Sequence, residues 1–403
     1  QRESATVAVS GVVASLSLAV ALTVMVASFR ESVTVWLDRV LPADLYVRSS
    51  RSLSASDTVY FTPEFVRAAG QLPGVQKVQT QRLVSLKLDP AQPPVALIAR
   101  DLADPARSLP LVGEALPVPP GQVGIYVSEA MMDLHGARPG TVFAPLSASF
   151  KALAPVDREQ ATTFFVAGVW RDYARQSGAI AIDQRVFERL TGDQRANDLA
   201  LWLNNPAQAE AVQQAVRALA DQGVAVANGE GAGAADADIA GRNGNASELL
   251  EFGTASQIRT TSLRIFDRSF AVTYWLQSVA IAIGLFGVAA SFSAQVLSRR
   301  KEFGLLAHLG LTRRQILQLV ALEGSAWTSV GAIAGLGLGL AVSVVLVHVV
   351  NPQSFHWTME LMLPWGRLLM LCLAVVLAGT ITAWLAGRAA AGKDAVLAVK
   401  DDW

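Results

Sequence analysis

The sequence predicts an all-α membrane unit of four transmembrane helices joined to an α+β extracytoplasmic domain. Three observations carry that expectation. The chain is 52% hydrophobic and only 16% charged over 403 residues, too apolar for an ordinary soluble enzyme. Its apolar residues gather in four blocks without Asp, Glu, Lys or Arg, at residues 4–29, 269–298, 324–359 and 368–387. Between the first two blocks lies a long stretch in which β-rich runs alternate with helical patterns and turn signals.

A helix rises about 1.5 Å per residue, so roughly 20 apolar residues cross a bilayer core and each block is long enough. Transmembrane helices are expected over residues 4–29, 269–298, 315–349 and 364–388. Orientation follows from Lys and Arg, which resist translocation and stay on the cytoplasmic side. The turn at 299–314 holds Arg299, Arg300, Lys301, Arg313 and Arg314, and the tail at 389–403 adds Lys393 and Lys400, whereas the outer loop at 350–363 has neither residue type. Both termini are therefore expected in the cytoplasm of a multi-pass protein of the inner (plasma) membrane, with residues 30–268 outside. Gln1 stands where an initiator methionine would, and a span begins almost at once, so a longer polypeptide is expected. The first block has no convincing small-residue cleavage site and continues into an amphipathic stretch at 30–40, unlike a secretory signal.

In the outer region strands are expected at 44–48, 75–88, 95–99, 124–127, 163–170, 179–182 and 199–203, and helices at 62–69, 129–136, 184–190 and 207–220. The segment at 228–247 is rich in Gly, Ala, Asp and Asn, cannot bury enough apolar surface to order itself, and reads as a flexible insert. From 255 to 268 the pattern turns helical and runs into the second span, either as a stalk between membrane and domain or as a loop ending at the bilayer.

The basic segment at 298–324 is the most informative. Phe303, Leu305, Leu306 and Leu309 give a short apolar helix, and Gly310 suits the left-handed position that ends one. Thr312 followed three residues later by Gln315 is a capping-box pattern that starts the next helix. Physically, this is a short helix on the cytoplasmic face tied by a tight turn to a span. It serves either to receive a push from a partner or to rest on anionic headgroups.

Arg299-Arg300-Lys301-Glu302-Phe303-Gly304-Leu305-Leu306, followed by Leu309-Gly310-Leu311-Thr312-Arg313-Arg314-Gln315-Ile316, resembles the coupling helix of FtsX-like permeases, the MacB-type (type VII) ABC transporters. Leu41-Pro42-Ala43-Asp44-Leu45-Tyr46-Val47 after the first span and Ala395-Val396-Leu397-Ala398-Val399-Lys400 near the C-terminus are similar as well. So is the outer-loop run Asn351-Pro352-Gln353-Ser354-Phe355-His356-Trp357-Thr358. Ala307 departs from the pattern, since many relatives carry Arg there. The resemblance implies a MacB-like outer domain and the C-terminal half of a long-form permease. Arg299, Arg300, Lys301, Glu302, Phe303, Leu305, Leu306, Gly310, Thr312, Arg313 and Arg314 are then the residues that couple to a cytoplasmic ABC ATPase, present in two copies. ATPase motion would pass through helix and stalk to an outer domain handling a lipid, lipoprotein or peptide. The alternative is a transmembrane sensor or scaffold that regulates an outer enzyme or signals peptide binding. Further expected partners are the N-terminal half of the same permease, membrane lipid, and an extracytoplasmic carrier or enzyme.

No G-x-x-x-x-G-K-[ST] occurs, since Gly392-Lys393 is followed by Asp394, so no cofactor is expected in this chain and ATP with Mg is assigned to the partner. Gly331, Gly335 and Gly339 recur every four residues inside the third apolar block, the spacing that lets two membrane helices approach closely. There is no H-E-x-x-H, C-x-x-C or G-x-S-x-G. His135, His308, His348 and His356 are scattered, and Asp101, Asp172, Arg171 and Arg175 make a poor case for a paired-carboxylate site. No catalytic residue, metal ligand or nucleic-acid surface is expected, the formal net charge being zero. Trp36, Trp275, Tyr274, Trp357, Trp365 and Trp384 fall near span ends, where amphipathic rings favour the membrane interface.

Overall fold

In this computed structural model the described residues are 2–49, 59–150, 162–221, 226–228, 247, 250–299, 302, 305–306 and 309–390. Most of the expected insert at 228–247 and the tail beyond 390 lie outside them. In chain order the elements begin α1 (Arg2–Val40), β1 (Leu45–Ser49), β2 (Val59–Phe61), α2 (Pro63–Gly70), β3 (Val75–Leu86), β4 (Val95–Arg100), α3 (Pro105–Ser108) and β5 (Leu111–Val112). Next come β6 (Val123–Ser128), α4 (Glu129–His135), α5 (Ala144–Phe150), β7 (Phe164–Trp170), β8 (Ala179–Asp183), α6 (Gln184–Thr191), β9 (Asp198–Leu203), α7 (Ala209–Leu219), β10 (Val226–Asn228) and β11 (Leu250–Thr254). The helices α8 (Ala255–Ser298), α9 (Arg313–Val345), α10 (Asn351–Phe355) and α11 (Trp365–Ala390) complete the chain.

These elements form two compact units. A helical unit comprises Gln1–Ser32, Ile265–Gln353 and Met359–Trp403, and a sheet unit comprises Val33–Arg264 and Ser354–Thr358. Helices α1 and α8 contribute residues to both.

In the helical unit, four helices among the described residues are long and apolar enough to cross a bilayer: Val9–Val40, Phe270–Ser291, Arg313–Phe355 and Trp365–Arg388. Their shared core is Val12, Leu16, Val20 and Val24 of α1, Ile316, Val320 and Ala332 of α9, and Leu368, Val375 and Ala383 of α11. The glycine stripe of α9 meets α1 in register. A Cβ on Gly331 would sit 3.0 Å from Val12 Cβ, one on Gly335 3.1 Å from Leu16 Cβ, and one on Gly339 2.6 Å from Val20 Cβ. Three glycines one turn apart thus receive three side chains one turn apart, and close backbone approach supplies packing that lipid cannot. Helix α8 is different, with Val272, Trp275, Ile283 and Phe286 all exposed. Its tie to α1 is polar, Gln277 Nε2 donating to Thr23 Oγ1 at 2.8 Å.

The helix ends differ from the sequence expectation in physically explicable ways. The first helix continues to Val40, because the amphipathic stretch after the apolar block keeps helical periodicity. The third does not stop at 349. A π-helical turn at Leu346–Val350 leads without a break into α10, with the Asn351 amide donating to the Leu346 carbonyl just before Pro352, which has no amide hydrogen to donate.

The sheet unit is built on a nine-stranded sheet ordered β11-β1-β9-β3-β4-β8-β6-β7-β5, with β10 and β2 pairing separately. β4 pairs with β8 and β6 with β7 in parallel, and the other pairings are antiparallel. Alternation along the central strands buries both faces. Leu97, Ile125, Val127, Phe164, Val166, Ile180 and Ile182 point to one side, where Met131 of α4, Leu146 and Phe150 of α5 and Phe187 of α6 cover them. Ile98, Tyr126, Phe165, Ala167, Ala179 and Ala181 point to the other side. Nearer the β11 edge, α2 and α7 bring Phe65, Val212 and Val216 onto Leu45, Val47, Leu199 and Leu201. Each such fully buried side chain contributes about 2 kcal/mol.

Candidate functional site

The turn between α8 and α9 is made by local sequence. Gly310 has φ +96°, a conformation open to glycine at little cost. The Leu311 amide donates to the Leu306 carbonyl at 3.1 Å, closing the six-residue ring of a Schellman motif. Leu306 and Leu311 then both pack against the helical core, which supplies the apolar contact of that motif. Thr312 begins α9 with a complete capping box. Its Oγ1 accepts from the Gln315 amide at 3.4 Å, and its own amide donates to Gln315 Oε1 at 2.8 Å.

Around this turn the charged residues are organised rather than free. Arg299 Nε donates to Glu302 at 2.8 Å, and its Nη1 donates to Glu323 at 2.7 Å. The hydrogen bond it donates to Glu302, and after it the one to Glu323, raise the guanidinium's affinity for its proton against the opposing effect of burial. Arg313 Nη2 donates to the Arg388 carbonyl of α11 at 3.3 Å, and the Arg388 guanidinium lies 5.7 Å from the Trp384 ring centre. Leu305 and Leu309 are 64% and 71% exposed, and Arg313 and Arg314 are exposed beside them. The surface therefore offers two leucines and two arginines while the ring of ion pairs holds its base.

Of the coupling residues read from sequence, Arg299, Glu302, Leu305, Leu306, Gly310, Thr312, Arg313 and Arg314 come together at this turn. Arg300, Lys301 and Phe303 lie outside the described residues. Leu306 faces the helical core. Sequence reasoning missed Glu323, whose signal was available as a lone carboxylate in an otherwise apolar helix.

The other polar candidates resolve into local structure. Asp172 is buried and pairs with Arg175 at 3.0 Å, while Asp101 accepts from Gln79 Nε2 at 2.8 Å. Burial holds His135 below the usual imidazole range. Among the described residues no group of three His, Cys, Asp or Glu could hold a metal ion. Trp275 and Trp365 are exposed in the helical unit. Trp36 and Trp357 instead belong to the sheet unit, where Trp36 Nε1 donates to the Arg171 carbonyl at 3.0 Å and Trp357 is 6% exposed. Both rings pack edge-on against Tyr173, a gain that outweighs a place among headgroups.

Residues 276–395, which include this turn and the spans either side of it, match the family model described as FtsX-like permease C-terminal. Over 392 residues the chain is 26% identical to an uncharacterized ABC transporter permease protein of Mycobacterium tuberculosis, a match covering 95% of this chain and 42% of the relative. An uncharacterized ABC transporter permease of Methanocaldococcus jannaschii is 22% identical over 138 residues, 34% of each chain. The chain thus spans less than half the length of these curated relatives. Among solved structures it is similar to the extracellular domain of the noncanonic ABC-type transporter YknZ from Gram-positive bacteria, with TM-score 0.30, 13% identity, and coverage of 47% of this chain and 99% of that one. It is also similar to the periplasmic region of MacB from Actinobacillus actinomycetemcomitans, with TM-score 0.33, 11% identity, and coverage of 56% and 94%.

Proposed function

We propose that this permease domain is the mechanical half of an ATP-driven ABC transporter. A cytoplasmic ATPase, in two copies, seats on Leu305, Leu309, Arg313 and Arg314 and hydrolyses ATP with Mg on its own residues. Its closure displaces the turn between α8 and α9, and the displacement travels along the helices to the sheet unit, which lies outside the cytoplasm and handles a lipid, lipoprotein or peptide. The observation that carries this reading is that α1 and α8 are unbroken helices with residues in both units. Arg30 pairs with Asp267 at 3.2 Å within the helical unit, and Arg259 pairs with Asp38 within the sheet unit. Phe29 packs edge-on against Phe266 and Phe270. A pair of helices clamped in this way transmits axial and lateral displacement that a loop would dissipate. The relatives described as ABC transporter permeases support the same reading.

The test uses the full-length permease reconstituted with its ATPase in lipid. Replacing Glu302 and Arg313 together with alanine abolishes co-purification of the ATPase or stimulation of its hydrolysis by the permease. Unchanged co-purification and unchanged stimulation would overturn the reading. Labelling of Arg313→Cys from the same side of the membrane as a cysteine in the sheet unit would overturn the orientation.

A further inference from the structure

Glu129 stands at the first position of α4, immediately after β6, and is 9% exposed. A carboxylate in such a place must be hydrogen-bonded. Its partner comes from a residue 229 positions away, in the segment that follows α10. Glu129 Oε2 accepts from the Thr358 amide at 3.0 Å, and Oε1 accepts from the Thr358 hydroxyl at 2.5 Å. The Thr358 carbonyl in turn accepts from the Tyr173 hydroxyl at 3.1 Å. Three polar groups of Thr358 are thus held within the sheet unit.

The neighbours of Thr358 are held as firmly. Trp357 packs edge-on against Tyr173 with ring centres 4.6 Å apart, and Tyr173 packs against Trp36 at 5.6 Å. Phe355 stacks on Trp357 at 5.6 Å. His356, whose Nδ1 lies 3.3 Å from Asp133 Oδ2, has φ +57°, the sole positive value at a residue other than glycine among the described residues. A left-handed non-glycine backbone is strained and persists only where its surroundings impose it. The chain reaches this segment from Gln353 of the helical unit and returns to that unit at Met359.

We propose that Phe355–Thr358 is a releasable clasp seated on Glu129, and that it opens and closes as the permease works. The proposal rests on the mechanical reading above. A segment packed in one unit, with both of its ends continuing into helices assigned to the other, is pulled on by any displacement of those helices. The chemistry favours yielding. The tie is two hydrogen bonds to one carboxylate, one from the Tyr173 hydroxyl, the His356–Asp133 contact and a few ring contacts, closed at the expense of backbone strain at His356. The groups acting on Glu129 are Thr358 of the clasp, Arg171 from the segment after β7 and Asp133 from the next turn of α4, which itself meets His356. Burial pushes the Glu129 carboxyl up, the Thr358 hydrogen bonds and Arg171 pull it down, Asp133 pushes it up, and the net direction is up. A carboxyl raised in the closed state contributes most below its free value and loses that contribution as pH rises through the raised one, so the clasp tightens in acid.

Hydrogen exchange on the full chain in nanodiscs tests the clasp itself. In the wild type, peptides covering 354–363 are protected, but at least tenfold less than β6 and β7. Glu129→Ala and Thr358→Val remove that protection and leave the strands unchanged, while Glu129→Gln, a neutral isostere that keeps an acceptor, retains it. Unaltered exchange in both Glu129→Ala and Thr358→Val, or wild-type protection equal to that of the strands, overturns the proposal. A second arm uses Glu129→Cys with Thr358→Cys in a Cys372→Ala background, joined by a short bis-methanethiosulfonate linker in the reconstituted complex. Joining lowers permease-stimulated ATP hydrolysis at least fivefold and reductant restores it. Full hydrolysis in the joined state overturns the working role of the clasp. Absence of stimulation in the unjoined wild-type complex overturns the transport reading and the clasp's working role with it, leaving the clasp contact to the exchange result.

Discussion

One guanidinium, that of Arg299, binds Glu302 with its Nε and Glu323 with its Nη1, at 2.8 and 2.7 Å. The end of α8 is thereby tied both to Glu302 and to the third turn of α9, 24 residues away. Side chains that are a quarter to a half exposed couple modestly, about 0.5–1 kcal/mol per pair. A double-mutant cycle with Arg299→Ala and Glu323→Ala, read by thermal unfolding of the purified permease, should show non-additivity of about that size. The exchanged pair Arg299→Glu with Glu323→Arg should recover part of any lost ATPase stimulation, whereas either single reversal should not.

The glycine stripe of α9 gives a paired prediction. A Cβ at Gly339 would meet Val20 at 2.6 Å and the Ser17 carbonyl at 2.8 Å, whereas one at Gly337 meets nothing within 4 Å. Gly339→Ala should destabilise the helical unit by about 1–3 kcal/mol through forced separation of α1 and α9. Gly337→Ala should be neutral or slightly stabilising, since alanine is the better helix former. Thermal denaturation in detergent separates the two outcomes.

The capping box at Thr312 predicts a local effect. Thr312→Ala should cost about 1 kcal/mol and raise hydrogen exchange in the first turn of α9 roughly fivefold, with the rest of α9 unchanged. Thr312→Ser should behave as wild type.

In the sheet unit, Asp193 accepts from Arg82 at 3.0 Å and from Arg195 at 2.7 Å, and the Arg82 side chain is 3% exposed. Burial alone would raise the Asp193 carboxyl, but the hydrogen bonds from Arg195 and the charge of Arg82 outweigh it and hold it below its usual 3.8. A depressed carboxylate stabilises the fold above its unfolded value, and that contribution disappears as pH falls through the depressed one. Asp193→Asn should therefore cost about 3 kcal/mol at neutral pH, because Arg82 loses its counter-charge, and the gap to wild type should close below pH ~3.8. Unfolding midpoints across that pH range check both statements.

The legible parts of the molecule were those governed by neighbours in sequence. The strands of the core read correctly because Val, Ile, Phe and Ala alternate or run together between turns, as in β7 and β8. The Gly310 stop and the Thr312–Gln315 start were legible for the same reason. β5 was missed because Leu111–Val112 is too short to show a period, and α5 because one Leu146–Phe150 spacing is a weak signal amid Ala, Pro and Ser. Glu323 stands out in sequence only as a lone carboxylate and Glu129 not at all, and neither could be paired, since each is explained by a partner 24 or 229 positions away. The same distance dependence explains Trp357: its position beside a span suggested a headgroup ring, and tertiary contacts with Tyr173 decided otherwise.

β1, which follows α1, and β11, which precedes α8, are hydrogen-bonded neighbours in the sheet, with Leu45 opposite Thr254 and the Ala255 amide donating to the Asp44 carbonyl at 3.2 Å. Everything from residue 45 to 254 is consequently a cassette whose two severed ends would lie side by side. A foreign domain with equally close termini could be spliced in at Asp44 and Ala255 without respacing α1 and α8.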